Sequence, residues 1–129
     1  MGLSFIIDTS AYSHFDRGDV RLKQFINPGA EIHLPLTVIA EVRGGSMYGT
    51  QHEVNEHKLR KFIDSPRVTV LTPTLKTTEL YGQIYATLRR SGKPIGTNDI
   101  WIAALALEHN LPLLTTDKDF RCVPKLELL

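Results

Sequence analysis

"TNDIWIAALALEHNLPLLTTDKDF", residues 97–120, is the stretch from which the rest of the chain is read. Ile100 to Leu107 is an unbroken apolar run; as a helix it is apolar all round, which marks a segment buried on every side rather than lying on a surface. "LPLLTT" follows as a strand, and acids bracket the pair, with Asp99 before it and Asp117 and Asp119 after it. Carboxylates at both mouths of the most apolar segment of a chain are fixed where the core meets its rim.

The elements on either side repeat the alternation. "LSFIID" is a short β-rich run ending in Asp8, "VRLKQFIN" suits a short helix closed by Pro28 and Gly29, and "IHLP" reads as a strand. "LTVIAEVRGGSMYG" is a helix weakened by Gly44 and Gly45, "HEVNEHKLRKFID" is a polar helix stopped by "SP", and "RVTVL" is a β-branched strand. "LKTTELYGQIYATLRRSG" is a longer helix with apolar spacing at Leu80, Ile84 and Leu88, and "KLELL" is a candidate last edge strand. Strands separated by helices predict an α/β fold with a mostly parallel sheet and helices on its faces, in one domain spanning residues 1–129.

Composition narrows the class. With 42% hydrophobic and 22% charged residues the chain is an ordinary globule. Its longest apolar run falls well short of the roughly 20 residues a membrane span needs, and "MGLSFIID" carries no secretory pattern. A lone Cys122 excludes an internal disulfide framework and fits a reducing compartment, so the expected location is the cytoplasm, away from any membrane. Fifteen Lys and Arg against fourteen Asp and Glu give a formal charge of +1. Acids withdrawn into a cation site would leave a modestly basic remainder around them.

In a parallel sheet all strands point one way, and ligands bind beyond their carboxyl ends. Asp8 closes one strand and Asp117 follows another, so the two can meet. Glu41 lies on the flank of a stripe formed by Val38, Ile39 and Val42, and Asp99 heads the buried helix. Each acid alone has an ordinary reading: Asp8 as a helix cap, Asp99 as a complement to the helix dipole, Asp117 and Asp119 as a polar turn. The set does not. Four carboxylates within several ångströms repel, and without a cation some would take up protons at neutral pH. Mg²⁺ or Mn²⁺ removes the conflict, because a hard cation prefers oxygen ligands and is commonly held by one or two carboxylates together with waters and a substrate phosphate. It orients a water, lowers its pKa and neutralises charge during in-line attack on a phosphodiester.

The motifs "FIIDTSAY", the Glu of "LTVIAEV", and "KPIGTNDIWIAALALEHNLPLLTTDKDF", in that order, resemble the PIN domain, in particular the VapC toxins of prokaryotic toxin–antitoxin pairs. The resemblance covers essentially the whole chain, and "G-x-x-D-x-x-I-A-A-x-A" followed by a strand and "T-x-D-x-D-F" is its most specific part; the Gly44–Gly45 pair is less typical. It implies an α/β/α sandwich and a metal-dependent endoribonuclease. The acidic quartet of the family falls on Asp8, Glu41, Asp99 and Asp117, as metal-holding catalytic residues. Hydroxyl positions fall on Thr9, Ser10 and Thr115, expected to orient carboxylates, and Asp119 takes the place of a supporting residue. The resemblance further implies a structured RNA substrate, often transfer or ribosomal RNA, a small VapB-like antitoxin whose tail occupies the groove, and a homodimer.

Hydrolysis by an activated water would leave a 5′-phosphate and needs no 2′-hydroxyl, so the preference for RNA rests on the resemblance. Arg89, Arg90 and Lys93 immediately precede the Asp99 segment and are candidates for contacts to flanking phosphates. Other chemistries fail at identifiable places. "HEVNEH" lacks zinc protease spacing, because His52 and His57 are five residues apart, about 140° round a helix. An aspartyl phosphatase would offer a second acid where Ser10 stands, a phosphate-accepting receiver would need an acceptor in "RVTVLTPT", and no nucleotide-cradling glycine loop is present. The competing reading is a PIN-like module that binds RNA or a partner without cutting, although Trp101 and Tyr85 suit core or dimer contacts better than base stacking.

Overall fold

The computed structural model describes residues 2–129. In chain order the elements are β1 (Ser4–Ile7), α1 (Thr9–Asp16), α2 (Val20–Phe25), β2 (Glu31–Pro35), α3 (Leu36–Tyr48), α4 (His52–Ile63), β3 (Val68–Leu71), α5 (Leu75–Arg90), α6 (Thr97–Glu108), β4 (Leu113–Leu114) and a 3₁₀ helix (Lys118–Cys122). The sheet is parallel throughout, with strand order β3-β2-β1-β4. Phe5, Ile6 and Ile7 of β1 are all fully buried, although successive strand residues face opposite sides, so both faces of the sheet are covered. This is a three-layer α/β/α sandwich.

Register decides where the acids go. Ile7 pairs with Leu114, and the Asp8 N–H continues that ladder to the Leu114 carbonyl at 3.3 Å, so Asp8 and the segment after Leu114 leave the sheet side by side. β2 passes directly into α3 at Pro35, and the helix carries Glu41 back along the same rim. In α6, Ile100, Ile102, Ala103, Ala104, Leu105 and Ala106 are buried, which matches its all-round apolar character, and α5 packs against it through Ile84 and Leu88.

The helix read over "LTVIAEVRGGSMYG" forms, and two other expectations change in detail. α3 runs unbroken through Gly44 and Gly45; a Cβ at either position would meet nothing, so neither glycine serves packing. The α3–α4 pair carries the helix instead, through a two-pronged Arg43–Glu56 ion pair and a hydrogen bond between Ser46 and His52. β4 is only two residues long, because the hydroxyls and amides that follow it are spent on Asp8 and Ser10 rather than on a ladder. "KLELL" forms a single parallel bridge, Leu113 to Leu128, after a turn with Lys125 at φ 67°, and so covers the β4 edge without becoming a strand. Among the described residues no helix is long and apolar enough to cross a membrane.

Candidate active site

Asp8 is 2% exposed and caps α1, its Oδ1 accepting from the Ala11 amide at 2.8 Å. Ser10 Oγ donates to the same carboxylate at 2.8 Å, and Thr115 Oγ1 donates to Oδ2 at 2.5 Å across 107 residues of chain. Thr115 in turn accepts from the Asp117 amide at 2.9 Å, and Ser10 accepts from the Thr116 amide at 3.1 Å. Asp8 and Asp117 are thus tied through one short network of hydroxyls and amides. The capping role and a functional role coexist: one oxygen closes the helix and the carboxylate as a whole lies at the rim.

Thr9 Oγ1 donates to Glu41 Oε1 at 2.6 Å, orienting the α3 carboxylate toward the end of β1. Asp99 stands in the first turn of α6, and Asp117 caps the 3₁₀ helix through the Asp119 amide at 2.9 Å. The electrostatics show that the acids converge. Burial, followed by the charges on Asp117, Glu41, Asp8 and Asp119, pushes the Asp99 carboxyl up to about 6. Burial also raises Asp8, opposed by its hydrogen bonds from Thr115, Ala11 and Ser10 and reinforced by the charge on Asp117.

Among the described residues no three Asp, Glu, His or Cys side chains close into a cage that would hold an ion unaided. The donor set is nevertheless the one a hard cation takes: carboxylate and hydroxyl oxygens only, gathered at one rim of the sheet. Mg²⁺ needs only one or two protein carboxylates, with waters and phosphate completing its shell, so these residues fit it. Zinc finds no such set, since His52 is taken by Ser46 and His57 is exposed on α4.

A cleft of about 450 Å³ opens beside Thr9 and Glu41, lined also by Tyr12, Asp16, Arg17 and Asn55. On the other flank, Lys93 joins Lys118, Asp119 and Arg121 in a second groove. Arg89 lies 4.8 Å from the Tyr85 ring centroid, and Arg90 is exposed on the last turn of α5, so only Lys93 of these three shares a groove with one of the site's acids. Tyr85 is 39% exposed and Trp101 packs on Tyr81 at 4.5 Å. Lys118 and Arg121 escaped the sequence reading because only the 3₁₀ turn puts them on the side of Lys93.

The PIN domain family matches residues 5–126. Ribonuclease VapC1 of Rickettsia felis is 35% identical over all of this chain and 96% of its own length, and Ribonuclease VapC1 of Haemophilus influenzae is 31% identical over 83% of this chain and 78% of its own. In solved structures, a chain of VapBC2 from Rickettsia felis, bound to a DNA fragment from its promoter, superposes with a TM-score of 0.88 at 25% identity over 98% of both chains. A chain of VapBC-1 from nontypeable Haemophilus influenzae gives 0.83 at 26% identity, covering 98% and 97%. A parallel sandwich with acids gathered at its strand ends defines the class, and these relatives define the branch. The chain belongs to the PIN domain family, in the branch that holds the VapC ribonucleases.

Proposed function

We propose that this protein is a divalent-metal-dependent endoribonuclease and the toxin of a VapBC-type toxin–antitoxin pair. Its kinship with proteins named Ribonuclease VapC makes it an RNA-cleaving nuclease, and the VapBC complexes among its structural relatives support a VapB-like antitoxin as its partner. The observation that carries the metal-dependent reading is the gathering of acids at one rim, where Thr115 ties Asp8 to Asp117 and Thr9 holds Glu41 beside the end of β1. In this reading Asp8, Glu41, Asp99 and Asp117 are the catalytic set, acting as a single domain with Mg²⁺ or Mn²⁺, in the cytoplasm and as a homodimer, on structured RNA such as tRNA or rRNA.

When bound, the cation supplies charge neutralisation at the scissile phosphate and lowers the pKa of water. Asp8, Asp99 and Asp117, with Glu41 beside them, would hold it. Ser10 and Thr115 fix the Asp8 carboxylate so that little reorganisation is needed when substrate arrives. Thr9 engages Oε1 of Glu41, leaving Oε2 to accept a proton from the attacking water and align it with the phosphorus. Asp119 acts on Asp117 through its backbone amide, and its own carboxylate adds to the field at Asp99.

The test is induction of the chain in bacteria, with and without Asp8→Asn or Asp99→Asn. Asparagine keeps the shape and weakens cation binding, so growth arrest is expected to disappear in both variants. Arrest that persists undiminished would sink the reading, as would RNA cleavage by the purified protein that survives EDTA. Copurification with the product of a small adjacent reading frame separates a paired toxin from a solitary nuclease.

A further inference from the structure

Beside the acids runs a groove of about 420 Å³, walled on one side by Lys93, Pro94 and Ile95 of the α5–α6 link and on the other by Lys118, Asp119, Arg121 and Cys122 of the 3₁₀ helix. Both walls continue straight into the acids: the first reaches Asp99 in the opening turn of α6, and the second begins immediately after Asp117. The walls are pinned together by Cys122, whose thiol donates to the Asp119 carbonyl at 2.9 Å and reaches the Lys93 carbonyl at 3.8 Å.

What sets this groove apart is that three cations gather in it, directly beside the acids. Arg43, Lys58, Arg60 and Lys76 each pair with a carboxylate. Among the described residues Lys93, Lys118 and Arg121 form no such pair, and all three are exposed. The one carboxylate lining the groove, Asp119, belongs to a residue whose amide donates to Asp117 Oδ1 at 2.9 Å, and so marks the end nearest the acids. Three uncompensated cations leading away from an acidic centre suit a polyanion whose scissile phosphate sits at that centre and whose neighbouring phosphates follow the groove. Among the described residues no aromatic ring lines it, so contacts there position the strand without reading bases.

We propose that Lys93, Lys118 and Arg121 form a phosphate track that holds the RNA strand on the α6 side of the cleavage site; this rests on the ribonuclease reading above. The three are positioning residues, acting through the substrate's placement rather than on the reacting atoms.

The experiment compares Lys93→Gln/Lys118→Gln/Arg121→Gln with a charge-matched control, Arg21→Gln/Lys23→Gln/Lys61→Gln, on α2 and α4. In an Asp99→Asn background, binding of a fluorescent single-stranded RNA is measured by anisotropy across a KCl series. The track variant is expected to lose about 2 from the slope of log affinity against log salt, at ~0.7 per phosphate contact, while the control keeps the parental slope. In the active background the track variant is expected to raise KM roughly tenfold with kcat held within about threefold, since phosphate contacts position rather than react. Equal slopes in the two variants would overturn the track, as would lost antitoxin affinity with an unchanged RNA slope, which would make the groove a protein dock. Failure of the ribonuclease reading shows separately, as absence of Mg²⁺-dependent cleavage by the protein with all four acids intact.

Discussion

Thr115 Oγ1 donates a 2.5 Å hydrogen bond to Asp8 Oδ2, joining the carboxyl ends of two adjacent parallel strands through residues 107 positions apart. Asp8 is almost wholly buried, so its charge depends on such donors. Thr115→Val keeps the shape and removes the donor, leaving a buried carboxylate oxygen short of a partner. The expected cost is about 1–3 kcal/mol of stability by urea denaturation, together with loss of RNA cleavage. Thr115→Ser restores the hydroxyl and is expected to recover most of both.

Asp99 gives a prediction of opposite sign. In the metal-free protein its carboxyl is raised first by burial and then by the charges on Asp117, Glu41 and Asp8, so Asp99→Asn is expected to stabilise the fold above pH 6 by on the order of 1 kcal/mol while abolishing cleavage. Added Mg²⁺ should raise the Tm of the parent and leave that of the variant nearly unchanged.

The same carboxyl sets a pH dependence. Its folded pKa lies near 6, above the ordinary carboxylate value, so between that value and pH 6 the native state binds more protons than the unfolded chain. Metal-free stability therefore rises as pH falls through 6 and is lost as pH climbs back. Cation binding demands the ionised form, so cleavage at subsaturating Mg²⁺ should fall as pH drops below about 6. Saturating Mg²⁺ should move that fall to lower pH, which initial rates across a pH series would check.

Gly44 sits inside α3 with open space where its Cβ would be. Gly44→Ala is expected to stabilise the protein by about 0.5–1 kcal/mol, through the lower backbone entropy of alanine in the unfolded chain. Thermal unfolding would register it. An unchanged or lowered Tm would mean that the arm does not hold this helix in solution.

Much of the architecture was legible in the sequence because it rests on local periodicity. The all-apolar run from Ile100 to Leu107 names a buried helix, and short apolar runs ending in Asp8 and preceding Asp117 name strand ends. Once the sheet is parallel, those ends share a rim. The length of β4 and the fate of "KLELL" were not legible, since each is set by partners distant in the chain: Ser10 and Asp8 for the first, Leu113 for the second.

The site divides in the same way. The sequence by itself determined which carboxylates stand at element ends, because hydrophobic patterning fixes where elements stop. Only the tertiary structure decided which hydroxyl serves which acid, how strongly Asp99 feels its neighbours, and that Lys118 and Arg121 face Lys93. Those relationships depend on through-space distances of a few ångströms between segments tens of residues apart. Register and packing set such distances, and no local pattern in the chain encodes them.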